Sequence, residues 1–313
     1  EKAGKLSAAL DLLQQRRAQV KRGEYVKPRQ ARAWTFKRLA EEAIKQKSLR
    51  MAPATIRTDE IRLRKLLPLI GHLRFDRVTA EKIEAALAAL KGSGLSNSTV
   101  NRYRSFISSV FTYALKTNRV SMNPVSRVAR YRENDSRLRW LRPEEEEKIR
   151  RQLTNESHRW EFDLALHTGM RRGEMWGLKW RDVDLDRGIL TVKGKTGRRH
   201  VVANDTAIGA LKRLHRYSGG KELVSPDNDG SAKRDWRRWL EKAAADAGVE
   251  DFHWHDLRHT FASRLVMAGV DIRTVQELLG HKSIVMTMRY AHLSADHRKQ
   301  AVAKMTVEAA VPE

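Results

Sequence analysis

Apolar residues recur through most of this chain at the three- and four-residue steps of amphipathic helices. Residues 1–27 are polar with scattered Leu, close on Arg22-Gly23 and predict one such helix, followed by a short basic linker over 28–33. From 34 to about 125 every apolar pattern is helical. Thr35 caps a helix reaching about Lys47, and Pro53 opens a second that carries Ile56, Leu63, Leu66, Leu67 and Ile70 and ends near Gly71. Thr79 caps a third and Ser96 a fourth, whose buried face is Val100, Tyr103, Ile107, Val110, Phe111 and Ala114. The opposite face of the fourth helix carries Asn101, Arg102, Arg104 and Ser105, a solvated or ligand-facing side.

The pattern changes after 126. Residues 127–140 hold Arg127, Arg130, Arg132, Arg137 and Arg139 with few apolar side chains, which predicts a basic interdomain linker. Pro143 with a run of Glu behind it opens a helix, and 160–168 continue as an apolar one. Ile189 to Val192 and Arg199 to Val202, joined by a turn from Gly194 to Gly197, predict a β-hairpin with a basic tip. Helices are expected at about 205–216, 232–247, 255–268, 271–280 and 283–291. Trp176, Trp180, Trp236 and Trp239 are read as packing residues, and Trp254 as a buttress beside His255.

A length of 313 residues suits two domains, each large enough for its own core. Charge then narrows the class: 62 Lys and Arg against 38 Asp and Glu give a formal net charge of +24. A compact chain carrying that charge repels itself unless a polyanion offsets it, which points to nucleic acid. With no Cys, the chain has no disulfides, no thiolate zinc site and no Cys nucleophile. No apolar run reaches the length of a membrane span, so a membrane is not an expected partner. The absence of Cys is compatible with a cytoplasmic protein.

Three segments carry candidate chemistry: Thr168 to Glu174 with Arg171 and Arg172, His255 to Thr260, and Leu278 to His281 with Tyr290 nine residues further on. Each alone has a plain structural reading, as a helix junction, a surface polar cluster, a helix C-cap or a core Tyr. His253, His255 and His259 invite a metal, but the His-Glu-x-x-His pattern is absent and Arg258 and Lys282 repel a cation, so neither metal nor cofactor is expected.

Taken together and in this order, Arg171, His255-x-x-Arg258, Gly280-His281 and Tyr290 resemble the signature of the tyrosine recombinase, or phage-type integrase, family over about 140–292. The resemblance implies a mainly α fold with a small β-sheet (α+β), built as a C-shaped clamp on double-stranded DNA. Residues 1–33 would be a linker helix ending an arm-binding domain that lies outside the chain, and 34–126 an all-helical core-binding domain. Residues 127–140 would be the linker, 141–293 a mixed catalytic domain, and 294–313 a tail docked on its own or a neighbouring protomer. The implied activity is site-specific DNA recombination, integrating or excising a mobile element, by metal-independent cleavage and rejoining through a 3′-phosphotyrosine. The implied assembly is a homotetramer passing through a Holliday junction, with accessory DNA-bending or directionality proteins as further partners.

Carried over residue by residue, the catalytic set is Arg171, Lys195, His255, Arg258, His281 and Tyr290, with Lys193 the runner-up to Lys195 and Glu174 a supporting acid. Arg171 and Arg258 would clamp the phosphate, His281 would add a donor, His255 would take the phenol proton and Lys195 would protonate the leaving 5′ oxygen. Tyr290 would be the nucleophile. Arg57, Arg102, Arg104, Arg198 and Arg199 are candidate DNA contacts. The alternatives are a resolvase, a type IB topoisomerase, a metal-dependent nuclease or a catalytically inactive DNA-binding regulator.

Overall fold

The computed structural model describes residues 34–133, 137–194, 197–227, 229–231, 233 and 236–294, with six positions between 10 and 18. Most of the helix expected over 1–27, the linker 28–33, Lys195, the Trp236 side chain and the tail beyond Ser294 lie outside the described residues. The chain divides into two compact units, one running to Asp135 and one starting at Ser136.

The first unit is helical: α1 (Phe36–Ser48), α2 (Pro53–Leu66), α3 (Ala80–Gly92) and α4 (Asn97–Lys116). The side chains of Thr35, Thr79 and Ser96 accept the backbone N–H of Arg38, Lys82 and Thr99, so the three expected caps form. Beyond α2 the chain widens into a π-turn, Leu67–Gly71, where Pro68 has no N–H to give to a regular helix. Phe36, Leu66, Ile70, Phe75, Ile83, Val100, Ile107 and Phe111 fill the core, with the rings of Phe75 and Phe111 4.3 Å apart.

The back of α4 departs from its expected role. Asn101 is 3% exposed, and its amide binds the Tyr131 carbonyl at 2.8 Å and the Glu133 carboxylate at 2.6 Å. Arg104 turns inward and donates to the carbonyls of Val128 and Val125 at 2.9 and 2.8 Å. Burial lowers its pKa, with Arg130 adding to the effect. This Arg holds the chain that crosses α4 and is not presented as a phosphate contact, whereas Arg57 and Arg102 are exposed.

The second unit contains α5 (Pro143–Gln152), α6 (Glu156–Thr168), α7 (Arg172–Trp176), β1 (Val183–Asp184), β2 (Ile189–Gly194), β3 (Gly197–Val202), α8 (Asp205–Ser218), α9 (Trp236–Asp246), α10 (Trp254–Met267), α11 (Ile272–Leu279) and α12 (Val285–Met288). The sheet is antiparallel in the order β1-β2-β3. Its inward residues Leu190, Val192 and Val201 pack on a core shared with α6, α8 and α10. Arg139 pairs with Glu145 through two bonds of 2.9 and 2.8 Å, and Arg137 with Asp256 at 2.9 Å. Two of the five arginines of the expected linker are therefore committed to carboxylates of this unit.

Candidate active site

Helix α6 ends at Gly169, whose φ of 58° is left-handed. A Cβ there would collide with the Phe261 ring, so only glycine fits. The turn aims the Gly169 carbonyl at Arg258 and sets Arg171 at the start of α7. Glu174 reaches back to the Arg171 backbone N–H at 2.9 Å, as N3 acids do in a capping box.

Glu174 is 3% exposed and receives two guanidiniums. Arg171 donates Nη1 to Oε1 at 2.9 Å, and Arg199 donates Nη2 to Oε2 at 2.8 Å. Burial works to raise the Glu174 pKa, but the hydrogen bonds from Arg199 and Arg171 outweigh it and hold the pKa below the carboxylate range. Gly194 lets β2 pass close by, since a Cβ there would lie 2.8 Å from Glu174 Oε1.

The other ends of these guanidiniums converge on the C-terminus of α11. Arg199 Nη1 donates to the Leu278 carbonyl at 2.8 Å, Arg258 Nη2 to Leu279 at 2.6 Å and Arg171 Nη2 to Gly280 at 2.8 Å. Three consecutive carbonyls at the negative end of a helix thus hold three cations. Arg258 also donates Nη1 to Gly169 at 2.6 Å. It is 3% exposed, and burial, followed by the nearness of Arg171 and Arg199, lowers its pKa to about 9. Three guanidiniums against one carboxylate leave a cationic cradle that an anion would relieve.

Arg199 reaches this cradle because of strand register. It pairs with inward Val192 and lies two residues from inward Val201, whereas Arg198 pairs with Lys193 on the exposed face. Of the two hairpin arginines expected to touch DNA, Arg198 is exposed and Arg199 is built into the site. Lys193 is exposed opposite Arg198.

His281 follows the α11 cap, with Nδ1 2.9 Å from the buried Thr287 hydroxyl. Burial, then Arg258, Arg171 and Arg199, lower its pKa to about 4. His255 is exposed on α10, and its pKa is lowered by desolvation and then by Arg258. Tyr290 is 2% exposed in a small apolar cluster with Ala262, Val266, Val275 and Leu279, and burial raises its pKa. Its hydroxyl lies 2.6 Å from Nδ1 of His259, the residue after Arg258. Burial, followed by His255, Arg289, Arg258 and Arg137, lowers the His259 pKa to about 3, and the neutral ring shares one hydrogen bond between Nδ1 and the Tyr290 hydroxyl.

The structure therefore brings Arg171, His255, Arg258, His281 and Tyr290 into one neighbourhood. Lys195 lies outside the described residues. The sequence reading missed His259, although its place next to Arg258 on α10 was a signal. Trp254 is buried 5.0 Å from Trp176 and 5.6 Å from Trp239, below His255. Among the described residues no three metal-ligating side chains come together, and no helix is long and apolar enough to cross a membrane.

Helical unit, mixed unit and cationic cradle together agree with what comparison with known proteins finds. The phage integrase family matches residues 139–297, and the phage integrase central domain matches 36–131. The chain belongs to the phage integrase family. The integrase of Salmonella phage P22 is 35% identical over 182 residues, covering 52% of this chain and 46% of that protein. Tyrosine recombinase XerC of Thermodesulfovibrio yellowstonii is 31% identical over 249 residues, covering 71% and 82%. The chain thus spans less than half the length of the P22 protein. Among solved structures, the Tn1549 transposon integrase in complex with a circular intermediate DNA superposes with a TM-score of 0.74 at 20% identity, covering 87% of this chain and 99% of that one. A lambda integrase tetramer bound to a Holliday junction gives 0.69 at 22% identity, covering 83% and 82%.

Proposed function

We propose that this protein is a site-specific recombinase that cuts and rejoins duplex DNA through Tyr290. The observation that carries the reading is the cradle of Arg171, Arg199 and Arg258, closed by one carboxylate and adjoining a tyrosine and three histidines whose pKa values burial lowers. A phosphodiester placed there supplies the missing negative charge. Its transition state carries more charge on the non-bridging oxygens, which guanidinium donors stabilise further.

In the proposed reaction the Tyr290 oxygen attacks phosphorus, the bond to the 5′ oxygen breaks, and a 3′-phosphotyrosyl ester forms. His255 accepts the phenol proton and Lys195 returns one to the leaving 5′ oxygen. The ester keeps the bond energy, so a 5′ hydroxyl from a second strand reverses the step without ATP. Residues 34–126 would serve as the core-binding domain and 141–293 as the catalytic domain, the two clamping DNA. Four copies would exchange strands on two duplexes through a Holliday junction, in the cytoplasm, with accessory DNA-bending proteins as further partners. The DNA-bound relatives and the family membership support this reading.

A suicide substrate nicked beside the cleavage position tests it. Wild-type protein is expected to form a covalent adduct in excess chelator, and Tyr290→Phe is expected to form none while binding DNA. An adduct formed by the Phe variant would reject Tyr290 as the nucleophile.

A further inference from the structure

The Tyr290 hydroxyl is already engaged in the free protein. A hydroxyl in a side chain 2% exposed, hydrogen-bonded to a histidine 8% exposed, is closed to a phosphate group. The surroundings are apolar on one side, with Ala262, Val266 and Leu279, and on the other is the His255 ring, 4.9 Å from His259 and edge-to-face. Such a hydroxyl needs an acceptor, since an unmet buried O–H is costly.

His259 is suited to that task and poorly suited to being a base. Burial and four cationic or titratable neighbours, His255, Arg289, Arg258 and Arg137, keep it neutral. The ring therefore stays uncharged near neutrality, with its hydrogen bond to the Tyr290 hydroxyl through Nδ1 in place. Tyr290 lies in the turn between α12 and the 3-10 turn Ala291–Ser294. That segment is held by the 2.9 Å contact of Thr287 with His281, by Arg289 donating to the Arg137 carbonyl at 3.1 Å and by the burial of Tyr290 itself. Moving Tyr290 outward therefore costs buried apolar contacts as well as the hydrogen bond to His259, and a bound phosphate must offset both.

We propose that His259 is a positioning residue that stores the nucleophile. Its Nδ1 holds the Tyr290 hydroxyl in the closed place, and Tyr290 leaves it to reach a phosphate. The role of Tyr290 as nucleophile rests on the function proposed above, but the storage contact is tested on the DNA-free protein and stands or falls separately.

The test is the acetylation rate of Tyr290 by N-acetylimidazole without DNA, followed by mass spectrometry of the Tyr290 peptide. His259→Phe fills the space and removes the acceptor, and is expected to raise the rate about five-fold, the factor for one net hydrogen bond. His259→Asn puts its amide oxygen near Nδ1 and is expected to stay within about two-fold of wild type. His259→Gln reaches toward Nε2 and is expected to behave as the Phe variant. If Phe does not fold, the Asn and Gln pair carries the comparison alone. Equal rates in Asn and Gln, or a Phe variant at the wild-type rate, would overturn the proposal. Failure of Tyr290→Phe to abolish the DNA adduct would overturn the functional reading and leave this result intact.

Discussion

At the scale of single residues the site is a set of opposed electrostatic pressures, and they make stability depend on pH in a stated direction. His259 and His281 in the site have folded pKa values lowered to about 3 and 4, and His158, on α6 and stacked on Trp239 outside the site, has one lowered to about 4, with burial the largest cause each time. An unfolded histidine titrates near 6.5. Below that value the unfolded chain therefore binds protons that the folded chain refuses, and stability falls as pH falls. The loss starts near pH 6.5 and continues toward pH 4 and below. After allowance for coupling among the groups, about 2 kcal/mol is expected to be gone by pH 5. Thermal melts between pH 7.5 and 5 check this, because paired carboxylates such as Glu174 titrate only below that window. A melting temperature flat across it would reject the account. The residues behind this behaviour were unevenly legible. Arg171, His255, Arg258, His281 and Tyr290 could be read from motif order. The partner of the Tyr290 hydroxyl could not, because α10 presents His255 and His259 one turn apart and only the fold decides which meets Tyr290.

Among the elements, the best-read were those with a long period or a sharp start. The caps at Thr35, Thr79 and Ser96 and the hairpin over Ile189 to Val202 follow from local chemistry alone. Strand β1 is two residues long and helix α7 five, too short for either period to show. Strand alternation did hold the information that separates Arg198 from Arg199, since Val201 fixes which parity points inward. The C-terminus of α11 is where these elements meet. Gly280 has a φ of 62°, and a Cβ on it would lie 2.5 Å from Arg199 Cδ. Gly280→Ala is therefore expected to cost about 1–3 kcal/mol, from left-handed strain and displacement of the Arg199 chain. Urea melts measure the loss, and a variant within 0.5 kcal/mol of wild type would show that the cap tolerates a side chain (about the noise level of a surface change).

For the whole molecule, the net charge of +24 points to a polyanionic ligand but not to the residues that would meet it. Arg104, Arg139, Arg199 and Arg258 spend their guanidiniums on carbonyls and carboxylates of their own unit. Composition cannot distinguish such arginines from exposed ones, because burying a charge depends on acceptors far away in sequence: Arg104 reaches Val125 and Val128. Arg57 and Arg102 are exposed on the same helical unit, so the two kinds can be separated by experiment. Removing one cation that neutralises a phosphate lowers the slope of log affinity against log salt by about 0.9. Arg57→Ala or Arg102→Ala is expected to reduce that slope by about one and leave thermal stability within about 0.5 kcal/mol. Arg104→Ala is expected to leave the slope unchanged and to cost about 1–3 kcal/mol, because two buried carbonyls lose their donor. Salt titrations of duplex binding, run beside melts of the same variants, measure both quantities. A slope change in Arg104→Ala without loss of stability would reverse the assignment and make that residue a candidate phosphate contact again.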